Sequence, residues 1–259
     1  MSKARNIGML YTKGKYINFL DCDDKWDSKA FKYILLFFKY YKKIDLVSGR
    51  IKFFEAINNY HPLDYKFYKT RIVNLSIEYS CIQLQASSTI FKKKILNGKF
   101  FKEDISFSED TRLLNSILLL NPIMGVIRES LYYYRRREDL SSAIQKKYNN
   151  LFFYFGALNS VFSYFIDTSK SLYNKVLPFI QFIICYEFLY RIQIPTYKYL
   201  DSLNIKKYIG LFENILKQIE DKYILEQKIL TNRYKLFMLS KKYHKDLRTE
   251  IKFENNSFN

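Results

Sequence analysis

The chain has 259 residues, 48% of them hydrophobic and 26% charged. That is enough apolar content for one large domain, or a domain with an extension, and too much for a disordered chain. A formal net charge of +18 favours anionic partners such as phosphorylated substrates or anionic lipid, with a merely lysine-rich solvated surface as the alternative.

Three scattered cysteines, Cys22, Cys81 and Cys185, are too few for a disulfide framework or a zinc site and fit a reducing compartment. The segment Met1–Asn6 lacks the apolar region of a signal peptide, which argues against export. Residues 15–21 read as a short buried strand ending in Asp21, Asp23 and Asp24. Carboxylates repel one another, so crowding them calls for a hard metal ion or a phosphate ligand bridged by one. Helix-capping aspartates in a strand-to-helix loop are the plainer account. In an open α/β sheet the carboxyl ends of strands are where ligands bind, which raises the functional reading.

Asp27 or Ser28 then reads as an N-cap for a helix from Ala30 to about Tyr41. Asp45–Gly49 and Ile51–Phe54 read as two strands with a turn between them. Residues 57–70, with His61-Pro62, read as a loop, and Cys81–Ala86 alternates as a strand. A helix over Thr111–Leu120 ends before Pro122. Ile123–Arg137 reads as extended and carries Tyr132 to Tyr134 and Arg135 to Arg137. Further on, Phe212, Ile215, Leu216, Ile219 and Tyr223 recur at helical spacing. No window reaches the ~18 uninterrupted apolar residues of a membrane span. Residues 1–145 therefore read as an α/β domain and 146–259 as an all-α region.

Two further groups carry candidate chemistry. Glu109 and Asp110 stand at a helix start, where the dipole stabilises carboxylates; they serve there as caps or as a base whose pKa is lowered. In an extended segment Arg135 and Arg137 share a face and Arg136 points away. With Ser141 and Ser142 they make a diphosphate clamp, or else a solvated basic patch. Phosphate-binding glycine loops, dinucleotide fingerprints and the Gly-x-Ser-x-Gly elbow are absent from the sequence, and His61 and His244 are a thin basis for a histidine triad or zinc site. Nucleic-acid-binding motifs are absent as well, which argues against nucleic acid as the partner.

The order of these blocks is more specific than any one of them. Ala4-Arg5-Asn6-x-Gly8, Thr12-Lys13-Gly14-Lys15-Tyr16, Phe19-Leu20-Asp21-x-Asp23-Asp24-x-Trp26, Ser108-Glu109-Asp110 and Tyr133-Tyr134-Arg135-Arg136-Arg137 follow one another as in the family 2 glycosyltransferases, which this chain resembles over roughly residues 1–145. The resemblance implies a GT-A (Rossmann-like) fold, a nucleotide-sugar donor, Mn²⁺ or Mg²⁺, and inversion at the anomeric carbon. It implies that Asp21 contacts the donor and helps hold the metal, that Asp23 ligates the metal, and that Asp24 supports them. Arg5 and Asn6 would lie beside the donor. Asp110 would be the general base with Glu109 beside it, and Arg135, Arg137 and Ser141 would hold the leaving diphosphate. A weaker resemblance of Val176–Arg191 to the helical linkers of wall- and capsule-polymer transferases implies a polysaccharide or lipid-linked acceptor at the inner face of the cytoplasmic membrane, with an anionic membrane surface as a partner.

Members of that family begin with a strand reading roughly Val-Ser-Val-Ile-Ile-Pro, and the match here starts downstream of it. The resemblance thus implies a partial GT-A domain whose sheet lacks strands and exposes edges, and an isolated chain that binds donor poorly. The competing expectations are an inactive remnant, a half completed by a partner chain that supplies the missing strands, or a non-enzymatic basic helical protein that binds membranes or nucleic acid.

Overall fold

The computed structural model describes residues 1–96, 98–137, 148 and 150–245. The chain divides into two compact units, Met1–Ile180 and Gln181–Asn259. The boundary expected at 145/146 falls outside the described residues.

The first unit runs α1 (Ser2–Tyr11), β1 (Tyr16–Ile17), β2 (Lys25–Trp26), α2 (Ala30–Tyr40), β3 (Leu46–Glu55), β4 (Arg71–Asn74), β5 (Thr89–Lys92), α3 (Glu109–Leu120) and β6 (Ile123–Arg136). The six strands form one mixed sheet in the order β1-β5-β3-β6-β2, with β4 also paired to β6. The long strands β3 and β6 lie side by side in parallel, and the other pairings are antiparallel.

Helix α2 covers this centre because its apolar residues repeat at helical spacing. Ala30, Ile34, Phe37 and Phe38 are buried. The last three pack with Ile44, Val47, Ile90 and Ile127 of the core. The approach is close at Gly125, where a Cβ would stand 2.4 Å from the Phe37 ring. After β6 a π-helical run, Phe152–Gly156 and Leu158–Ser163, leads into α4 (Tyr164–Tyr173).

The helix at residues 30–41, the helix ending before Pro122 and the extended segment from Ile123 are all present. Four local expectations are corrected. The strand expected over 15–21 pairs only at Tyr16–Ile17, because the Asn18 side chain takes over, donating to the carbonyls of Ser87 at 2.8 Å and Thr89 at 2.9 Å. The two strands expected around Gly49 are one strand with an irregularity between Gly49 and Arg50, where the Trp26 ring packs so closely that a Cβ on Gly49 would lie 2.5 Å from it. Cys81–Ala86 is not a strand. Side chains satisfy its backbone instead: Lys66 Nζ donates to Ile82 O, and Gln83 Nε2 to Gln85 O. The N-cap of α2 is Lys29, one residue after Ser28, and the Asp27 carboxylate accepts from the Lys29 amide just ahead of the helix.

Helix α5 (Pro178–Ile192) crosses the boundary between the units. The second unit contains α6 (Ser202–Leu216), α7 (Asp221–Leu225) and α8 (Asn232–Tyr243). The apolar stripe read from Phe212 onward is one helical face only as far as Leu216, and Ile219 and Tyr223 fall in the turn and short helix that follow. Phe188 stacks on Phe212 with ring centres 4.2 Å apart. Lys242 joins α8 to α7 through Asp221 and the Ile219 carbonyl. Among the described residues no helix is long and apolar enough to cross a membrane.

Candidate active site

The site is assembled on one arginine. Arg5 stands in the first turns of α1 with its side chain only 10% exposed. It donates to Asp21 Oδ1 at 2.9 Å, pairs with Asp110 Oδ1, and lies 3.6 Å from Glu109 Oε1. Three blocks far apart in sequence thereby meet: the α1 arginine, the aspartate turn after β1, and the acidic start of α3. A guanidinium has the planar fork to bridge several carboxylates at once. The Ala86 amide donates to the second oxygen of Asp110 at 2.9 Å.

The acids of α3 differ from the sequence expectation in one respect. Their pKa values are raised, not lowered. Burial pushes Glu109 up to about 7, with the Asp110 charge adding to the shift and Arg5 opposing it. Burial raises Asp110 as well, against the pull of Arg5 and the Ala86 amide. Desolvation of a carboxylate outweighs the modest effect of a helix N-terminus.

The aspartate turn is closed by a hydrogen bond from the Asp24 amide to the Asp21 carbonyl. Asp24 is the structural member of the three. Its oxygens accept from the Tyr132 hydroxyl at 2.6 Å and the Arg135 amide at 2.8 Å, which ties the turn to β6. Burial raises its pKa. Asp23 and Asp21 are 29% exposed, and each has one oxygen engaged by an arginine: Arg137 at 2.9 Å for Asp23 and Arg5 for Asp21.

Among the described residues no cluster of three or more His, Cys, Asp or Glu side chains encloses a metal. Asp21 Oδ2 and Asp23 Oδ1 have no hydrogen-bond partner among those residues. Two half-open carboxylates fit Mn²⁺ or Mg²⁺, which take one or two carboxylates and complete their shell with phosphate oxygens and water.

The other expected residues are placed as follows. Arg135 reaches across the sheet to Glu55, at the end of β3. Arg136 lies on the opposite side, over the Phe53 and Tyr134 rings at 4.8 and 5.0 Å. Arg137 meets Asp23. Asn6 does not join the carboxylate cluster. Its side chain exchanges hydrogen bonds with the Phe101 backbone and donates to Glu103, so it anchors the loop before α3. Ser141 lies outside the described residues. Sequence reasoning missed Tyr132, Glu55 and Ala86. The Ala86 contact is a backbone amide with no sequence signal. Tyr132 was legible only as part of a tyrosine run. Glu55 adopts φ 78°, a conformation rare for a non-glycine residue, which turns the chain at the site's border.

The model of the family described as "Glycosyl transferase family 2" matches residues 1–98, which hold Arg5 and the whole aspartate turn. This segment belongs to glycosyltransferase family 2. Two curated relatives from Bacillus subtilis (strain 168) extend the likeness. The minor teichoic acid biosynthesis protein GgaB is 32% identical over 237 residues, 90% of this chain and 26% of GgaB. The minor teichoic acid biosynthesis protein GgaA is 30% identical over 245 residues, 92% of this chain and 55% of GgaA. The chain thus spans about a quarter and about half of the lengths of these relatives. Among solved structures, S. aureus TarS 1–349 in complex with UDP-GlcNAc superposes with a TM-score of 0.61 at 14% identity, covering 96% of this chain and 69% of that one. The same TarS segment with UDP gives 0.57 at 12% identity, covering 100% and 74%. The chain has a fold of the GT-A type, with helices following its mixed sheet.

Proposed function

We propose that the chain transfers a sugar from a nucleoside-diphosphate sugar to a hydroxyl of a wall polysaccharide of the teichoic acid type, with inversion and with a divalent metal. The observation that carries this reading is Arg5, which joins the donor-side turn at Asp21 to the acids at the start of α3. A single-displacement transfer needs those two groups adjacent. Teichoic acid biosynthesis by the relatives and UDP-GlcNAc in TarS support the acceptor class and a UDP-linked donor.

Asp110 takes the proton of the acceptor hydroxyl. The freed oxygen attacks the anomeric carbon as the bond from that carbon to the diphosphate breaks, and the nucleoside diphosphate leaves from the opposite face. Asp21 and Asp23 would hold Mn²⁺ or Mg²⁺, which when bound would supply positive charge for the departing diphosphate. Arg135 and Arg137, released from Glu55 and Asp23, present further donors to the same phosphates. Arg5 opposes the rise in pKa that burial imposes on Asp110 and fixes the carboxylate in direction, so the base is oriented before acceptor arrives. With a lipid-linked acceptor the chain would act peripherally on the inner face of the membrane, and its +18 charge, which attracts anionic lipid, supports that reading.

A second assignment of the base is favoured by one observation: Glu109, near 7, is matched to proton transfer at neutral pH. Replacing each acid separately decides between them. We expect Asp110→Asn to lower kcat by about 10²–10⁴-fold, and Glu109→Gln to leave most of it. Retention of activity in Asp110→Asn, with loss in Glu109→Gln, would move the base to Glu109. Loss in neither would overturn the assignment of both.

A further inference from the structure

Residues 83–88 belong to no strand, yet they carry the amide that holds the base: Ala86 N–H donates to Asp110 Oδ2 at 2.9 Å. With no ladder there, side chains fix where that amide points. Buried Gln83 is the centre of them. Its Nε2 donates to the Gln85 carbonyl at 3.0 Å and lies 3.0 and 3.1 Å from the buried hydroxyls of Ser88 and Thr89. The Thr89 hydroxyl donates to the same Gln85 carbonyl at 2.7 Å, and the Thr89 amide to the Ala86 carbonyl at 3.1 Å. The turn around Ala86 is thus closed from inside by one carboxamide and its two hydroxyl neighbours.

A carboxamide has nearly the same shape turned end for end, so its neighbours decide which end faces where. Here Lys66 decides. It is buried, its ammonium has donors only, and it binds Gln83 Oε1 at 2.6 Å together with the Ile82 carbonyl. That leaves Nε2, the donor end, for the Gln85 carbonyl. Helix α3 is fastened to the same segment. Asn115 Nδ2 donates to the Gln83 carbonyl at 3.1 Å, and Thr111 Oγ1 to the Leu84 carbonyl at 3.4 Å. Ala86 and Asp110 therefore sit in one hydrogen-bonded block, and a shift of the turn moves the amide relative to the carboxylate.

We infer that Gln83, oriented by Lys66, is a positioning residue for the transfer: it touches no reacting atom and acts by aiming the Ala86 amide at Asp110. The inference rests on the reading of Asp110 as the base. An N–H donor holds a carboxylate in direction and favours its ionised form. With the turn released, Asp110 keeps Arg5 on Oδ1 but loses its second fixed contact. The proton acceptor then meets the incoming hydroxyl out of line.

The test is an NMR titration of the full chain, ¹³C-labelled at aspartate carboxyls, in metal-free buffer. The parent is compared with Gln83→Met, and Asp110→Asn assigns the Asp110 signal. Arg5, Glu109 and Asp21 also act on Asp110 and are the same in parent and variant. Losing the amide donor disfavours the carboxylate, so the Asp110 midpoint should rise by about 0.5–1 pH unit in Gln83→Met. Asp201, the N-cap of α6, should keep its midpoint. Hydrogen exchange at the Ala86 amide should quicken roughly tenfold or more while that of Val47 in β3 stays unchanged. An unmoved Asp110 midpoint would overturn the inference. Equal quickening at Ala86 and Val47 would also overturn it and leave Gln83 a packing residue. Thr89→Val keeps the side-chain shape and removes one of the two side-chain donors to Gln85. It should give the same pattern at smaller size, and it carries the test if Gln83→Met does not fold. None of these readouts involves sugar transfer. A base assignment that fails through an active Asp110→Asn enzyme is therefore distinguished from a failure here.

Discussion

Arg5 governs both the charge and the position of the acids that surround it. It opposes the rise in pKa of Asp110 and Glu109 that burial imposes. Removing the cation while keeping hydrogen-bonding capacity, as in Arg5→Gln, raises both values further. A base works only when ionised, so the acid limb of the kcat profile should move to higher pH in Arg5→Gln. A profile that stays in place would show that Arg5 acts on the donor and not on the base. Arg5→Ala should in addition destabilise the fold by about 3 kcal/mol, measured by denaturant unfolding. That is the low end for breaking a buried ion pair, because the carboxylates left behind are partly exposed. Of this cluster, the acids and Arg5 were legible as residue types at recognisable spacings. Their raised pKa values were not, because burial depends on which distant segments pack against the start of α3, among them Arg5 of α1 and the Ala86 amide, and that packing is not announced in sequence.

At the scale of elements, α2 and β6 position the site through their mutual approach. β6 brings Tyr132 and the Arg135 amide onto Asp24, and its start is fixed against α2 at Gly125. A methyl group there meets the Phe37 ring in a closed core. Gly125→Ala should therefore cost about 1–3 kcal/mol in unfolding free energy, the usual range for overpacking. An unchanged midpoint would mean that α2 shifts freely over the sheet. Helix α2, helix α3 and strand β6 could be read from sequence because each has a clear period or a proline stop. The strands over 15–21 and 81–86 were misread for one reason. Asn18, Lys66 and Gln83 donate to backbone carbonyls themselves, the first two across long stretches of sequence, and such side-chain competition with a ladder is invisible to a pattern of apolar alternation. The single strand through Gly49 was misread because glycine marks a turn or a bulge equally well.

At the scale of the whole molecule, family and general fold were legible because the motif order survives in one dimension. The placement of the α3 acids against the aspartate turn was not, since it depends on the mixed topology that sets β1 beside β5 and β6 beside β3. The account stands or falls on whether that placement makes a donor site. Its most direct test is calorimetric titration of UDP into the purified chain, with and without Mn²⁺, beside an Asp23→Ala variant. The account predicts weak binding that requires Mn²⁺ and disappears in Asp23→Ala. UDP binding of equal strength without the metal and in the variant, or none under any condition, would contradict it.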